Sequence, residues 1–119
     1  MFEKIKEAFE TYSQSSNLHK DPTLRSIHVK MGASYLANQI IELLKGLKYK
    51  EIRYNDIYNE IFTCKAGFEV TIHLLSGGSG STTIEVSVFS PANKGKTRRA
   101  LRFLLNHFKE SFKSYITHE

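Results

Sequence analysis

The chain is short of the features that mark most recognisable functional classes. It has one cysteine, Cys64. An intrachain disulfide and a cysteine-based metal cluster are therefore excluded, and a reducing compartment suits the composition. No apolar run approaches the length needed to cross a bilayer, so no transmembrane segment is expected. Met1 to Gln14 carries Glu3, Lys4, Lys6, Glu7 and Glu10, which rules out an apolar signal-peptide core there. A soluble cytoplasmic protein is the expectation. There is no His-x-x-x-His spacing for a metal. Gly95-Lys96-Thr97 looks like the end of a phosphate-binding loop, but Ser90 stands where the upstream glycine would have to be. The glycine and aromatic core of an RNA-recognition motif is also missing. No catalytic or cofactor motif is legible, and a non-enzyme without cofactor or metal is expected.

What is present is one domain's worth of amphipathic pattern. At 119 residues, roughly two-thirds of the unfolded surface can be buried, enough for a self-sufficient core. Lys and Arg number 17 against 12 Asp and Glu, a net charge of +5. That balance permits nucleic acid or an anionic surface as a partner without requiring either.

The organising stretch is Gly67 to Phe89. Apolar and polar residues alternate from Phe68 to Leu75 and again from Thr82 to Phe89, around the Gly/Ser run 76–81. That is the signature of two antiparallel strands joined by a flexible loop. Upstream, Phe2, Ile5, Phe9 and Tyr12 share one face of a helix over 2–13, so 1–16 is expected to be an amphipathic N-terminal helix and linker. The α+β body is expected over 24–116, within a single domain 1–119. A short strand is expected over 24–30. A helix follows over about 34–46, with Leu36, Ile40, Leu43, Leu44 and Leu47 as its stripe and Gly46 at its stop. Strands are expected over 48–54 and 60–65. Pro91 ends the hairpin because proline cannot donate into a sheet. The last helix carries Leu101, Leu104, Leu105, Phe108, Phe112 and Tyr115 on one stripe, with Thr97 as its N-cap.

The order α-β-α-β-β-β-β-α implies an α+β fold with an antiparallel sheet of four to five strands and helices packed on one face. A strand, a helix, a meander and a C-terminal helix resemble the helix-grip and TATA-binding-protein-like architectures. The segment 24–115 is also similar to a loose type of small bacterial α+β domain, through Leu44-Lys45-Gly46-Leu47, Tyr54-Asn55-Asp56 and Phe89-Ser90-Pro91. The resemblance is architectural and carries no functional residues over.

Two candidate sites follow. Lys94, Lys96, Arg98, Arg99 and Arg102 fall within nine positions with no acid among them, at the start of the last helix. Cations are disfavoured at the positive end of a helix dipole, so an anion held by side chains and free N–H groups would explain them. The alternative is a solvated basic turn. The second candidate is the polar face of the sheet, where alternation places Glu69, His73 and Glu85, with His28 on the same side. Such a set suits acid–base or metal chemistry, yet a solvated sheet face carries such residues anyway. Cys64 lacks a neighbouring base unless His73 approaches across the hairpin.

The expected function is a non-catalytic binding or protein-interaction module, possible partners being a second copy or another protein. Alternatives are an anionic ligand or nucleic acid at the basic turn 94–102. A further alternative, which the helix-grip resemblance implies, is a small apolar ligand between sheet and last helix.

Overall fold

In the computed structural model, which describes residues 10–116, the hairpin is the middle of a six-stranded antiparallel sheet. The strands are β1 (Tyr12–Gln14), β2 (Ile27–Val29), β3 (Lys50–Asn55), β4 (Glu60–Lys65), β5 (Phe68–Ser76) and β6 (Thr82–Phe89). Two α-helices are described, α1 (Ala33–Gly46) and α2 (Thr97–Ser111), with single 3₁₀ turns at Pro22–Leu24 and Lys113–Tyr115. The sheet runs β1-β6-β5-β4-β3, and β2 also pairs with β6. No helix among the described residues is long and apolar enough to cross a membrane.

Alternation decides the faces. Val70, Ile72 and Leu74 of β5 and Ile84, Val86 and Val88 of β6 are buried, and meet Leu36, Ala37, Ile40 and Leu44 of α1 and Leu101, Leu104, Leu105 and Phe108 of α2 in one core. Each large side chain so buried contributes about 1.5–3 kcal/mol. The other face carries Glu69, Thr71, His73 and Leu75, opposite Phe89, Ser87, Glu85 and Thr83. Strands β4 and β5 are joined at Ala66-Gly67, both left-handed with φ of 52° and 84°, the turn whose twist matches a hairpin. The positive φ of Gly67 favours glycine there, and a Cβ would come within 2.9 Å of Asn93 Nδ2, so the Asn93 side chain would have to shift.

The edge of β6 corrects the expected N-terminal organisation. The proposed helix over 2–13 lies mostly on residues 1–9, outside the described residues. Its end is strand: Tyr12–Gln14 pairs with Phe89–Ser87, which raises the strand count to six. The polar run there suits a loop by composition, but the backbone groups on the edge of β6 demand partners, and that demand overrides composition. Strand β2 takes the other end of the same edge, Ile27 opposite Ile84. β1 and β2 are thus one interrupted edge strand. Residues 15–26 leave the sheet between them and return, cinched by Ser26 N–H donating to Ser16 O at 3.3 Å and Ser16 N–H to Leu24 O at 3.2 Å. Leu24 is fully buried and anchors the excursion. Ser15 bridges the interruption: its N–H donates to Val86 O and its Oγ accepts from Val86 N–H, both at 2.8 Å.

Gly46 ends α1 as expected, and the left-handed residue that then turns the chain is Lys48, φ 68°. Two details depart from expectation. Thr97 is the first helical residue of α2 and not its cap; Lys96 holds the cap position with no side-chain cap bond, while the buried Thr97 hydroxyl meets Ser13 Oγ at 2.7 Å. Tyr115 lies beyond α2 in a 3₁₀ turn and is exposed, so the buried stripe closes at Phe112.

Candidate functional site

Helical geometry divides the basic run. Arg98 and Arg102 are four residues apart, and both are met by acids from the start of the chain. Arg98 Nε donates to the Glu10 carboxylate at 3.2 and 3.3 Å, and Nη2 at 3.1 Å. Ser13 Oγ donates to the same carboxylate, and Gly95 N–H donates to Glu10 O at 2.8 Å. Burial works to raise the Glu10 carboxyl, but the bonds from Arg98 and Ser13 and the Arg98 charge outweigh it and hold it below its ordinary value. Arg102 Nη2 donates to Asp21 Oδ2 and its Nε to Thr23 Oγ1, both at 2.9 Å. Hydrogen bonds from the Thr23 hydroxyl, Arg102 and the Thr23 N–H hold Asp21 well below the usual carboxylate range. The two arginines therefore clamp β1 and the 15–26 excursion onto α2. An acid close to the first turn also relieves the unfavourable cation–dipole arrangement.

Lys96 and Arg99 lie on another side. With Ala100 and Phe103 they fall at i, i+3, i+4 and i+7, a stripe separate from the buried one. It forms one wall of a groove of about 340 Å3. Tyr49, at the α1–β3 junction, forms the opposite wall, and Phe68 and Val70 of β5 with Lys65 and Ala66 line the remainder. Phe103 is 44% exposed, with its ring centroid 4.5 Å from that of His107. Lys65 Nζ donates to Leu47 O at 2.6 Å and stands 5.2 Å from the Tyr49 ring centroid. Burial raises the Tyr49 phenol. Among the described residues no carboxylate lines the groove, and neither Lys96 nor Arg99 is ion-paired. Lys94 is exposed on the loop and does not line the groove.

The outer sheet face gathers the other candidates only in part. His73 sits between Glu85 on β6 and Glu60 on β4. His28 lies opposite Thr83 in a different row, its Nδ1 2.9 Å from Thr83 Oγ1. Glu69 is flanked by Phe89 and Cys64. Among the described residues no three His, Cys, Asp or Glu side chains are placed to hold a metal ion. The approach of His73 to Cys64 that a nucleophilic role would need does not occur, because the register puts His73 opposite Glu60 at the far end of β4. Cys64 Sγ instead donates to Glu51 Oε2 at 3.3 Å, and that bond, with a lesser contribution from burial and from the Glu51 and Glu69 charges, raises the thiol. A thiol held protonated is a poor nucleophile. The same face carries a 260 Å3 depression lined by Tyr12, Arg53, Phe62 and Phe89, with Arg53 5.8 Å from the Phe62 ring centroid.

Sequence reasoning missed Tyr49, Lys65, Phe68 and Phe103. The available signal was Phe103, the one large apolar residue of α2 that falls off the buried stripe and onto the Lys96–Arg99 side.

Comparison with protein-family models, curated protein sequences and solved structures finds no match to this chain.

Proposed function

We propose that the chain is a non-catalytic binding module that holds a small, largely apolar ligand in the groove between α2 and the sheet. The observation that carries this is the lining: Tyr49, Phe68, Val70, Ala100 and Phe103 around about 340 Å3. Small-molecule sites are concave and mostly apolar, with a few polar groups, and begin at about 300 Å3. A bound apolar group would cover the exposed ring of Phe103. The helix-grip resemblance favours the same place. A patch that tracks nucleic-acid phosphates is less favoured, since Arg98 and Arg102 are already neutralised by Glu10 and Asp21. The test is a two-dimensional amide NMR titration with small aromatic and aliphatic compounds, repeated on Ala100→Phe, which fills the groove from a partly exposed position. Shifts at Tyr49, Phe68 and Phe103 that vanish in the variant support the reading. Equal responses from parent and variant reject it.

A second reading, a protein-interaction module, is favoured by the outer face. Tyr12 is 50% and Phe89 41% exposed there, beside Phe62. Light scattering of the parent and Phe89→Glu tests it for a second copy of the chain; a monomer in both rejects self-association.

A further inference from the structure

Resting on the groove reading above, we infer that the groove's ligand carries a negative head group, a carboxylate, seated between Lys96 and Arg99 with its apolar body against Tyr49, Phe68 and Phe103. The argument starts from how the charges are distributed. Five cations crowd the start of α2, and among the described residues the fold brings two acids to them, Glu10 and Asp21. Both acids go to the clamp side, to Arg98 and Arg102. Among the described residues the groove side receives none. Lys96 and Arg99, one helical turn apart, are left facing an apolar cavity whose lining, among the described residues, holds a third cation, Lys65, and no acid.

That arrangement gathers like charge and leaves it unmatched among the described residues. Three like charges rim one cavity, and two of them sit at the positive end of a helix whose cap position supplies no side-chain acceptor. An anion bound there relieves the repulsion, and both cations then make charge-assisted hydrogen bonds. The planar fork of Arg99 matches a carboxylate, while Lys96 adds a point charge. Lys65 is already held by Leu47 O and the Tyr49 ring, so it contributes field and not a direct bond. The head alone is not enough, because the rim is exposed and a lone anion there is screened by salt. Affinity has to come from the aromatic walls, and selectivity from the rim. A cavity at the small end of the ligand-pocket range limits the body to about one ring with a short linker.

The experiment uses the full chain and three probes with one apolar body: 4-phenylbutyrate, 4-phenylbutanol and 4-phenylbutylamine. Affinities are measured by amide NMR at low and high salt, with acetate as the head without a body. The expected order is carboxylate, then alcohol, then amine. The carboxylate should lead the alcohol by roughly tenfold or more, the range of hydrogen bonds to charged groups. Salt should erode that lead and leave the alcohol unchanged. Lys96→Gln with Arg99→Gln should bring the carboxylate down to the alcohol's affinity. Lys20→Gln, an exposed lysine outside the groove, should change nothing. Equal binding of all three probes, abolished by Ala100→Phe, would overturn the charged head while the groove reading stands. Acetate binding as tightly as phenylbutyrate would overturn the need for an apolar body. No binding by any probe would overturn both.

Discussion

Two buried serines of the 15–26 excursion should respond to alanine in opposite ways. Ser15 is fully buried, and its Oγ is the partner of the Val86 N–H at 2.8 Å, where the edge strand is interrupted. In Ser15→Ala the bond from the residue 15 N–H to Val86 O survives, but the Val86 N–H is left without a partner inside the sheet. A buried donor so orphaned costs about 1–3 kcal/mol. Ser26 is 9% exposed, and its Oγ is buried without a hydrogen-bond partner. Burying an unbonded hydroxyl costs about 1–3 kcal/mol in mutational data, and Ser26→Ala removes that cost at the expense of few contacts. For a domain of this size each kcal/mol moves the melting midpoint by about 4 °C. Ser15→Ala should therefore lower the midpoint by about 4–12 °C. Ser26→Ala should leave it unchanged or raise it. Thermal unfolding followed by far-ultraviolet circular dichroism, with urea midpoints as a second measure, reads both. Movement of the two variants in the same direction, or an unmoved midpoint in Ser15→Ala, would refute the bridging role of Ser15.

The remaining predictions concern titrating groups. The carboxyls of Glu10 and Asp21 lie below their ordinary values, so the stability they contribute is present above the unfolded values of about 4.3 and 3.9 and is lost as pH falls through the lower folded ones. Urea midpoints should be level near neutrality and decline below about pH 4, whereas Glu10→Gln and Asp21→Asn should start lower and decline less; parallel acid limbs would contradict the clamps. The Cys64 thiol is raised by its bond to Glu51, so Glu51→Gln should speed its reaction with a disulfide reagent at mildly alkaline pH by increasing the thiolate fraction; an unchanged rate would contradict the assigned cause.

Legibility in the sequence followed the strength of the apolar signal. The β5–β6 hairpin was readable because six or more alternating positions on each strand fix one face against the helices, and α2 because Leu101, Leu104, Leu105 and Phe108 recur at helical spacing. Strand β1 was not readable. Tyr12-Ser13-Gln14 buries only a serine, and its extended state is imposed by the open edge of β6, a partner more than seventy residues away in the chain, as Tyr12 opposite Phe89 shows. The residue that turns the chain after α1 was equally hidden. Gly46 has the composition for a left-handed turn, but Lys48 takes it, because Tyr49 N–H reaches back to Leu44 O at 3.0 Å and closes the helix end at that point. Local preference lost in both places to hydrogen bonds that depend on the assembled structure.

The candidate site was legible as composition and illegible as geometry for the same reason. Read linearly, the five cations are one patch. Wound on a helix they divide, with Arg98 and Arg102 on one side and Lys96 and Arg99 on another. Which side is neutralised depends on acids 88 and 81 residues away, brought in by a strand and an excursion that composition did not announce. The division also separates two roles on one helix. Arg98 and Arg102 are tied to carboxylates, so removing either takes a partner from an acid, Glu10 being the more buried of the two, and the loss falls on the folded state. Lys96 and Arg99 make no ion pair among the described residues, so no clamp of that kind accounts for them. Their charge has no ion-pair role among the described residues, and an apolar groove lies beside them. A ligand with an anionic head and an apolar body accounts for both at once.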